Sequence, residues 1–173
     1  TQELVSGEPQ RKKKEDLMVS WPSLEKRQAE LDDLVRTRIP QNTKEIAIAR
    51  SHGDLRENFE YKSAKEYQRV LMKRQSDWER ELKLAQPTDF STPDTSQVSI
   101  GTVVQLESTE GGSPLTYTVL GAWDSDPDRG VIAYLSERGS IILGKKVGDE
   151  VEFPLGDGET ESYKITSISA YKS

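Results

Sequence analysis

Residues 46–65 read IAIARSHGDLRENFEYKSAK, and this stretch decides how the N-terminal half of the chain folds. Helix-forming residues lie on both sides of it, and Gly53 suits the left-handed backbone that follows the end of a helix. Two helices joined by so short a turn must fold back antiparallel. We therefore predict two helices, one ending at His52-Gly53 and the other running from about Leu55 to Ala85.

Apolar residues recur at heptad-compatible spacings along both predicted helices. The residues that carry this spacing are Leu24, Leu31 and Leu34, continued by Ile46 and Ala49, in the first helix, and Ala64, Leu71, Trp78 and Ala85 in the second. Pro40 interrupts the first helix, so we expect a bend or a local break there. At 1.5 Å per residue, arms of about 30 residues would form a rod roughly 45 Å long.

The second half of the chain changes to short β-branched or aromatic runs separated by turn residues. They predict strands at 102–106, 115–120, 131–135, 150–153 and 162–171, and one short helix at 140–143. The predicted fold class is α+β, with an N-terminal antiparallel helical coiled-coil hairpin followed by a small antiparallel β domain. The predicted segments are a flexible lead-in at 1–22, the hairpin at 23–86, a linker at 87–97 and the β domain at 98–173.

Composition excludes several kinds of chemistry. The 173 residues include no cysteine and one histidine, which excludes a disulfide scaffold and a cysteine nucleophile and argues against a His-based catalytic triad. No apolar run approaches the roughly 18 residues that a membrane-spanning helix needs. No apolar signal-peptide segment follows Thr1, so we expect a cytoplasmic protein without membrane contact.

The two halves of the chain differ in charge. Residues 1–86 contain 18 Lys and Arg against 16 Asp and Glu, whereas residues 87–173 contain 6 against 14. The acidic half repels phosphate backbones, so charge argues against a general DNA-binding protein and permits a protein partner. The basic run at residues 11–14 is compatible with a nucleic-acid or polymerase contact, although we favour a solvated linker.

Three carboxylates, Asp54, Glu57 and Glu60, recur every three residues at the predicted turn. This spacing favours a capping role, with Asp54 as N-cap and Glu57 completing the Asp variant of a capping box. A metal role is compatible with it, since Mg²⁺ is commonly held by one or two protein carboxylates plus waters and phosphates. We expect such a tip to complete a magnesium site of another molecule rather than to build one alone.

The stretch at 46–65 resembles the signature of the bacterial Gre transcript-cleavage factors (GreA/GreB), which reads I-x-x-A-R-x-x-G-D-L-x-E-N-x-E-Y-x-x-A-[KR]. A second match lies at 116–121 and 143–151, which are similar to the FKBP-like C-terminal domain of that family. Together the resemblance covers about residues 23–171. It implies a coiled-coil hairpin followed by an FKBP-like domain that docks on the polymerase.

The resemblance implies a transcription elongation factor whose partner is bacterial RNA polymerase. In this family the hairpin enters the secondary channel, and the acidic tip helps the polymerase to hydrolyse backtracked RNA near its 3′ end. The chain would then not be an enzyme itself, and it would hold no cofactor stably alone. It would share Mg²⁺ with the polymerase active centre, meet the nascent RNA 3′ end there, and contact DNA only through the complex.

The family motif also implies residue roles. Asp54 and Glu57 would be the catalytic tip carboxylates acting in trans and the ligands of the shared Mg²⁺. The other implied positions are Asn58, Glu60 and Tyr61 for support of the tip, Arg50 and Lys65 for the RNA 3′ end, and Gly139, Ser140, Leu143 and Gly144 for polymerase docking. For Arg50 and Lys65, spacing alone is equally compatible with ordinary surface charges of a coiled coil.

The sequence departs from the family pattern at Arg56, where Ser or Lys is usual, and at Phe59, where a small residue is usual. Residues 136–141 read SERGSI where the family has Ser-Pro-(Leu/Ile)-Gly-(Arg/Lys)-Ala. These departures motivate an alternative function, a regulator that binds the secondary channel without promoting cleavage. Phe59 either stacks on a base or packs under the turn, and we favour packing.

A third hypothesis is a prolyl isomerase, because an FKBP-like fold suggests a pocket lined by Tyr117, Trp123 and Phe153. As core residues of a small β domain these aromatic side chains need no such role, and a fold does not imply a function.

Overall fold

The computed structural model of the chain describes residues 16–54 and 57–172. Its N-terminal half is a hairpin of two helical arms and its C-terminal half is built on a β-sheet, which confirms the predicted α+β fold. The first arm consists of α1 (Trp21–Asp33), a π-helical segment (Leu34–Arg38) and α2 (Ile39–Ser51), and the second arm is α3 (Phe59–Leu84). The basic run at 11–14 and Arg56 lie outside the described residues.

The two arms pack through the apolar stripe that the heptad spacing predicts. Leu34 and Leu71 are almost fully buried, and Ile46 extends the buried stripe toward the turn. The buried Asn42 donates a hydrogen bond from Nδ2 to the backbone oxygen of Ala64 at 3.0 Å. This bond sets the register of the arms, because a buried amide that lost its partner would be costly.

Pro40 neither ends nor breaks the first arm. The π-helical segment comes just before it, and the backbone N–H of Ile39 donates to the oxygen of Leu34, five residues earlier. A π-helical turn is wider than an α-helical turn, so it makes room for the proline ring, which would otherwise clash with the carbonyl four residues earlier. The expected bend or break is thus a widened turn within a continuous helical arm.

A two-stranded parallel sheet joins the start of the first arm to the end of the second. β1 (Leu17–Ser20) pairs with β2 (Ala85–Thr88), and Val19 is fully buried. This sheet corrects the predictions of a lead-in that extends to residue 22 and of a linker that begins at Pro87. Strands of four residues carry too little periodicity to be recognised without their partner, and Pro87 is tolerated because it lies in an edge strand.

The C-terminal domain contains five further strands: β3 (Thr102–Ser108), β4 (Leu115–Leu120), β5 (Val131–Ala133), β6 (Glu150–Gly156) and β7 (Glu159–Ala170). They form one sheet in the order β5-β4-β3-β7-β6. β5 runs parallel to β4, so the sheet is mixed rather than antiparallel as predicted. A parallel pair needs a crossover connection, which residues 121–130 supply with a 3₁₀ turn at Pro127–Arg129.

The core of the C-terminal domain lies between this sheet and the short helix α4 (Glu137–Ile142), which begins earlier than the predicted helix. The fully buried side chains of this core are Val104, Leu106, Val119, Ile142, Phe153 and Ile165. In the part of the chain that the structure describes, no helix is both long enough and apolar enough to cross a membrane.

Candidate functional site

The hairpin tip is the turn between α2 and α3. α2 ends at Ser51, and the N–H of His52 closes the helix end by donating to the oxygen of Ala49 at 3.2 Å. Gly53 follows with a φ of 126°, a value that favours glycine because it has no Cβ. Asp54 and Glu57, the predicted tip carboxylates, are both exposed to solvent at this turn.

Asn58 connects the two helix ends at the tip. Its Oδ1 accepts a hydrogen bond from the backbone N–H of Tyr61 at 3.0 Å, which makes Asn58 the N-cap of α3. Its Nδ2 donates to the backbone oxygen of Ala49 at 2.6 Å, in the last turn of α2. One side chain therefore satisfies a free donor at the start of one helix and an acceptor at the end of the other.

This geometry corrects the predicted capping box. α3 begins at Phe59, so Asp54 and Glu57 lie in the loop before the helix and only Glu60 lies in its first turn. Asn caps a helix as well as Asp does, but its amide can also donate to a carbonyl, which a carboxylate cannot. Asn58, rather than Asp54, is therefore the N-cap of α3.

Charged side chains surround the turn. Nδ1 of His52 lies 3.7 Å from Oε2 of Glu60, and both side chains are largely exposed. The guanidinium of Arg50 lies over the ring of Tyr61, 5.8 Å from its centroid. The structure therefore brings Arg50, Tyr61 and Glu60 together at the tip.

Lys65 and Phe59 occupy α3 beyond the loop. Nζ of Lys65 bonds to Oε1 of Gln68 at 3.0 Å, further along the helix than the other predicted tip residues. Phe59 is 80% exposed, so the packing under the turn that we favoured is wrong. Nζ of Lys62 lies over its ring, 5.8 Å from the centroid.

The tip does not form a closed metal cage. Across residues 16–54 and 57–172, no group of three or more acidic or histidine side chains is arranged to hold a metal ion. Two exposed carboxylates leave the remaining ligand positions of a divalent ion to waters or to another molecule.

Two family models match the chain over most of its length. One, described as the N-terminal domain of a transcription elongation factor, matches residues 17–86, and the other, described as the C-terminal domain of GreA/GreB, matches residues 93–170. This chain belongs to the GreA/GreB family of transcription elongation factors.

Two curated relatives agree with this assignment. Transcription elongation factor GreA of Treponema pallidum is 43% identical over 154 residues, which cover 89% of this chain and 94% of the relative. GreA of Oenococcus oeni is 38% identical over 149 residues, which cover 86% and 92%. The solved Gfh1 structure of Thermus thermophilus aligns over 90% of this chain and 99% of its own, with 20% identity and a TM-score of 0.41.

The docking positions that the Gre resemblance implies lie in α4 and just after it. Gly139 is buried, and a Cβ there would come within 2.2 Å of the oxygen of Ala133, so packing alone requires this glycine. Ser140 and Gly144 are exposed. Leu143 is also exposed despite its apolar side chain.

Sequence reasoning missed two further exposed apolar residues near α4. Leu135 precedes the helix and Val147 follows it, and each is more than half exposed. We call these two residues and Leu143, the exposed apolar residues that flank α4 in the sequence, the α4 patch. Its signal in the sequence is weak, because single apolar residues next to polar ones are equally common in strands and turns.

The three aromatic residues of the isomerase hypothesis do not share an open pocket. Phe153 is fully buried, and Arg138 covers it, with the guanidinium 4.6 Å from the ring centroid and Nη1 bonded to the hydroxyl of Tyr117 at 2.6 Å. Trp123 lies elsewhere, in a cleft of about 590 Å³ beside the base of the hairpin. Arg138 belongs to the segment that departs from the Gre pattern, and this packing gives it a structural role.

The base of the hairpin is joined to the C-terminal domain through Arg27. Its guanidinium lies 5.6 Å from the ring centroid of Trp78 on α3 and 4.8 Å from that of Trp123 in the C-terminal domain. Its Nη1 also lies 3.3 Å from Oε2 of Glu81. One cation on the first arm thus contacts the second arm and the C-terminal domain.

Asp124 is the second connection at the base. Its Oδ2 accepts hydrogen bonds from the backbone N–H groups of Ser20 at 3.0 Å and Gly121 at 2.9 Å. Its Oδ1 accepts from the hydroxyl groups of Ser20 and Ser23. We call Arg27, Asp124 and these partners the junction, which sequence reasoning missed because its members lie about 100 positions apart.

Proposed function

We propose that this protein is a transcript-cleavage factor that works in the cytoplasm. It binds bacterial RNA polymerase, places its hairpin in the secondary channel and stimulates the polymerase's own cleavage of backtracked RNA. The polymerase performs the hydrolysis, and this chain supplies side chains in trans without being an enzyme. The observation that carries the proposal is the exposure of Asp54 and Glu57 at the turn of a long helical hairpin, in a chain of the GreA/GreB family.

The shape of the hairpin supports this function. α3 has 26 residues, so at 1.5 Å per residue it is about 39 Å long. The hairpin is only two helices wide. It could therefore carry the side chains at its tip into a channel that is too narrow for a compact domain of similar mass. Asn58 keeps the two helix ends together at the turn, so the carboxylates arrive on a defined support.

Asp54 and Glu57 fit a magnesium ion that is shared with the polymerase. Carboxylate oxygens are the ligands that Mg²⁺ prefers, and the ion usually takes only one or two of them from any one protein. When bound, Mg²⁺ supplies Lewis-acid chemistry and a more acidic bound water for phosphodiester hydrolysis. The part of this chain is to present two carboxylates from an exposed turn that is braced by Asn58.

The remaining residues fit binding roles. Arg50 and Lys65 would attract the RNA near its 3′ end, because the tip carboxylates alone would repel its phosphates. The α4 patch and Ser140 would dock on the polymerase rim, where exposed apolar side chains gain by losing contact with water. The acidic character of the C-terminal half leaves DNA contact to the polymerase.

The test is cleavage in halted, backtracked elongation complexes. Asp54→Asn with Glu57→Gln removes both charges with little change of shape, and Glu66→Gln with Glu79→Gln removes two exposed charges from α3 beyond the tip. The tip variant is expected to lower stimulated cleavage by about 10- to 100-fold, as loss of metal-site ligands or their supports commonly does. The control variant is expected to cleave like the wild type.

Binding must be measured beside cleavage. In a competition assay, both double variants are expected to displace labelled wild-type protein from the polymerase at the same concentration as unlabelled wild type does. Equal cleavage by the tip variant and the wild type would disprove the catalytic role of the tip. Competition without any stimulated cleavage by the wild type would instead support a channel-binding regulator, the alternative that Phe59 and the altered segment 136–141 suggest.

A further inference from the structure

Phe59 is the most exposed large apolar side chain among the described residues. It is 80% exposed, whereas the next in the same set, Ile48, is 57% exposed. It is the first residue of α3 and directly follows Asn58, so it stands beside the acidic loop. A phenylalanine left this far in water gains nothing from burial in the isolated protein.

Among the residues that the structure describes, neither helix capping nor the packing of the arms calls for an aromatic residue at this position. A hydrophobic staple would pair the residue before the N-cap with the fourth residue of the helix, and these are Glu57 and Lys62. Capping at this end is carried out by Asn58, and the arms are packed by Leu34, Ile46 and Leu71. Phe59 belongs to neither arrangement.

The surroundings of Phe59 are charged. Glu57 and Glu60 stand on either side of it in the sequence, and Nζ of Lys62 lies 5.8 Å from its ring centroid. A contact with an apolar protein surface would call for a continuous apolar patch. An exposed ring beside a cation is instead the combination with which proteins hold single-stranded nucleic acid, the ring stacking on a base and the cation meeting the backbone.

We propose that Phe59 stacks on a nucleobase near the 3′ end of the backtracked RNA, while Lys62 meets an adjoining phosphate. This inference rests on the proposed cleavage function and adds a residue that positions the RNA for it. The stack would hold the RNA strand beside Asp54 and Glu57, so that the phosphate to be cleaved stays next to the tip carboxylates. Every base has a flat face, so the contact would accept any base and require that one be present.

The experiment compares Phe59→Ala, Phe59→Leu and Phe59→Tyr in backtracked complexes, with the rate of the polymerase alone subtracted. One set of complexes carries normal RNA, and matched sets carry an abasic nucleotide at one of the successive backtracked positions. On normal RNA, Phe59→Ala and Phe59→Leu are expected to lower stimulated cleavage by about tenfold, and Phe59→Tyr by less than about twofold. At one abasic position, stimulated cleavage by the wild type is expected to be as slow as cleavage of normal RNA by Phe59→Ala. At that position Phe59→Ala itself is expected to lose no further activity.

Each other result decides against the stack. If Phe59→Leu cleaves as fast as the wild type, an apolar side chain is enough and the aromatic face has no role. If Phe59→Ala loses the same factor at every abasic position, the ring contacts polymerase rather than RNA. Competition for polymerase separates these results from weakened binding, and a wild type that stimulates no cleavage would refute the proposed function itself, and this inference with it.

Discussion

At the base of the hairpin Arg27 and Asp124 join the helices to the C-terminal domain, whereas at the tip Asp54, Glu57 and Phe59 are exposed to solvent. The base is held by two stacked aromatic contacts, an ion pair and the four hydrogen bonds of one carboxylate. At the tip, the side chain of Asn58 braces the two helix ends. The same hairpin thus has one end bound to protein and one end with its charged groups presented to solvent.

This difference between base and tip fits a hairpin whose tip must be placed accurately in another molecule. With α3 about 39 Å long, a tilt of about 5° at the base would move the tip by about 3 Å. Misplacement of a catalytic group by about 1 Å can already cost roughly 100-fold in rate. Contacts that set the angle therefore belong at the base, while groups that act on another molecule must stay unburied at the other end.

The tryptophans offer a probe that distinguishes the two ends. The chain contains three of them, and Trp21, Trp78 and Trp123 all lie at the base, the last two against Arg27. Intrinsic tryptophan fluorescence is therefore expected to change in variants of the base and to stay unchanged in variants of the tip.

The largest effect on stability is expected from Asp124→Asn. An amide keeps the shape but removes the charge, so at a half-buried site the two backbone N–H groups lose an ionised acceptor, and the two hydroxyl groups must accept from the amide instead of donating to a carboxylate. We expect the free energy of unfolding to fall by about 3 kcal/mol, measured in urea by tryptophan fluorescence. Asp128→Asn, an exposed change in the nearby 3₁₀ turn, is the control, and equal urea midpoints would show that the junction does not stabilise the protein.

Replacing a glycine with alanine at the base and at the tip compares how tightly the two ends of the hairpin are packed. A Cβ at Gly121 would lie 2.6 Å from the oxygen of Met18 and 2.7 Å from Cα of Val19, so Gly121→Ala forces the backbone of the junction apart. We expect a loss of about 2 to 3 kcal/mol and a shift in fluorescence. At Gly53 no atom of the described residues beyond its two chain neighbours lies within 4 Å of the added Cβ, and the φ of 126° is unfavourable.

Gly53→Ala is accordingly expected to cost about 1 to 2 kcal/mol, with the tryptophan spectrum unchanged. Because the substitution strains the loop that carries Asp54, stimulated cleavage is expected to fall more than polymerase binding does. If Gly53→Ala were the more destabilising of the two changes, the contrast between a packed base and an open tip would be wrong.

The sequence predicted the hairpin well because helix period, heptad spacing and a glycine turn all point to it. It also predicted the strand 115–120 with the bounds that the structure shows. It placed the start of α3 too early because Asp54 and Asn58 are both good N-caps, and the bond from Asn58 to the carbonyl of Ala49 forms only when the two helix ends meet. That choice depends on the position of the other helix end, which spacing along one helix cannot show.

The junction could not be predicted for a similar reason. Ser20 and Asp124 are 104 positions apart, and neither belongs to a motif that calls for the other. Arg27 looks like any exposed charge of a helical arm until Trp78 and Trp123 are found on either side of it. The site residues that a local motif carries could be named from the sequence, whereas the contacts that aim them depend on the complete fold.

The smallest effect on stability, and the sharpest test of the tip, is expected from Asn58→Asp. Aspartate keeps the cap on the N–H of Tyr61 but cannot donate to the oxygen of Ala49, so the connection between the helix ends is lost and the second carboxylate oxygen must move away from that carbonyl. We expect a loss of about 1 kcal/mol in thermal unfolding and a several-fold lower cleavage rate at saturating protein, with polymerase binding unchanged. Asn58→Ala removes both bonds and should be less stable than Asn58→Asp. If Asn58→Asp cleaves like the wild type, the cap alone suffices and the bond to α2 does not position the carboxylates.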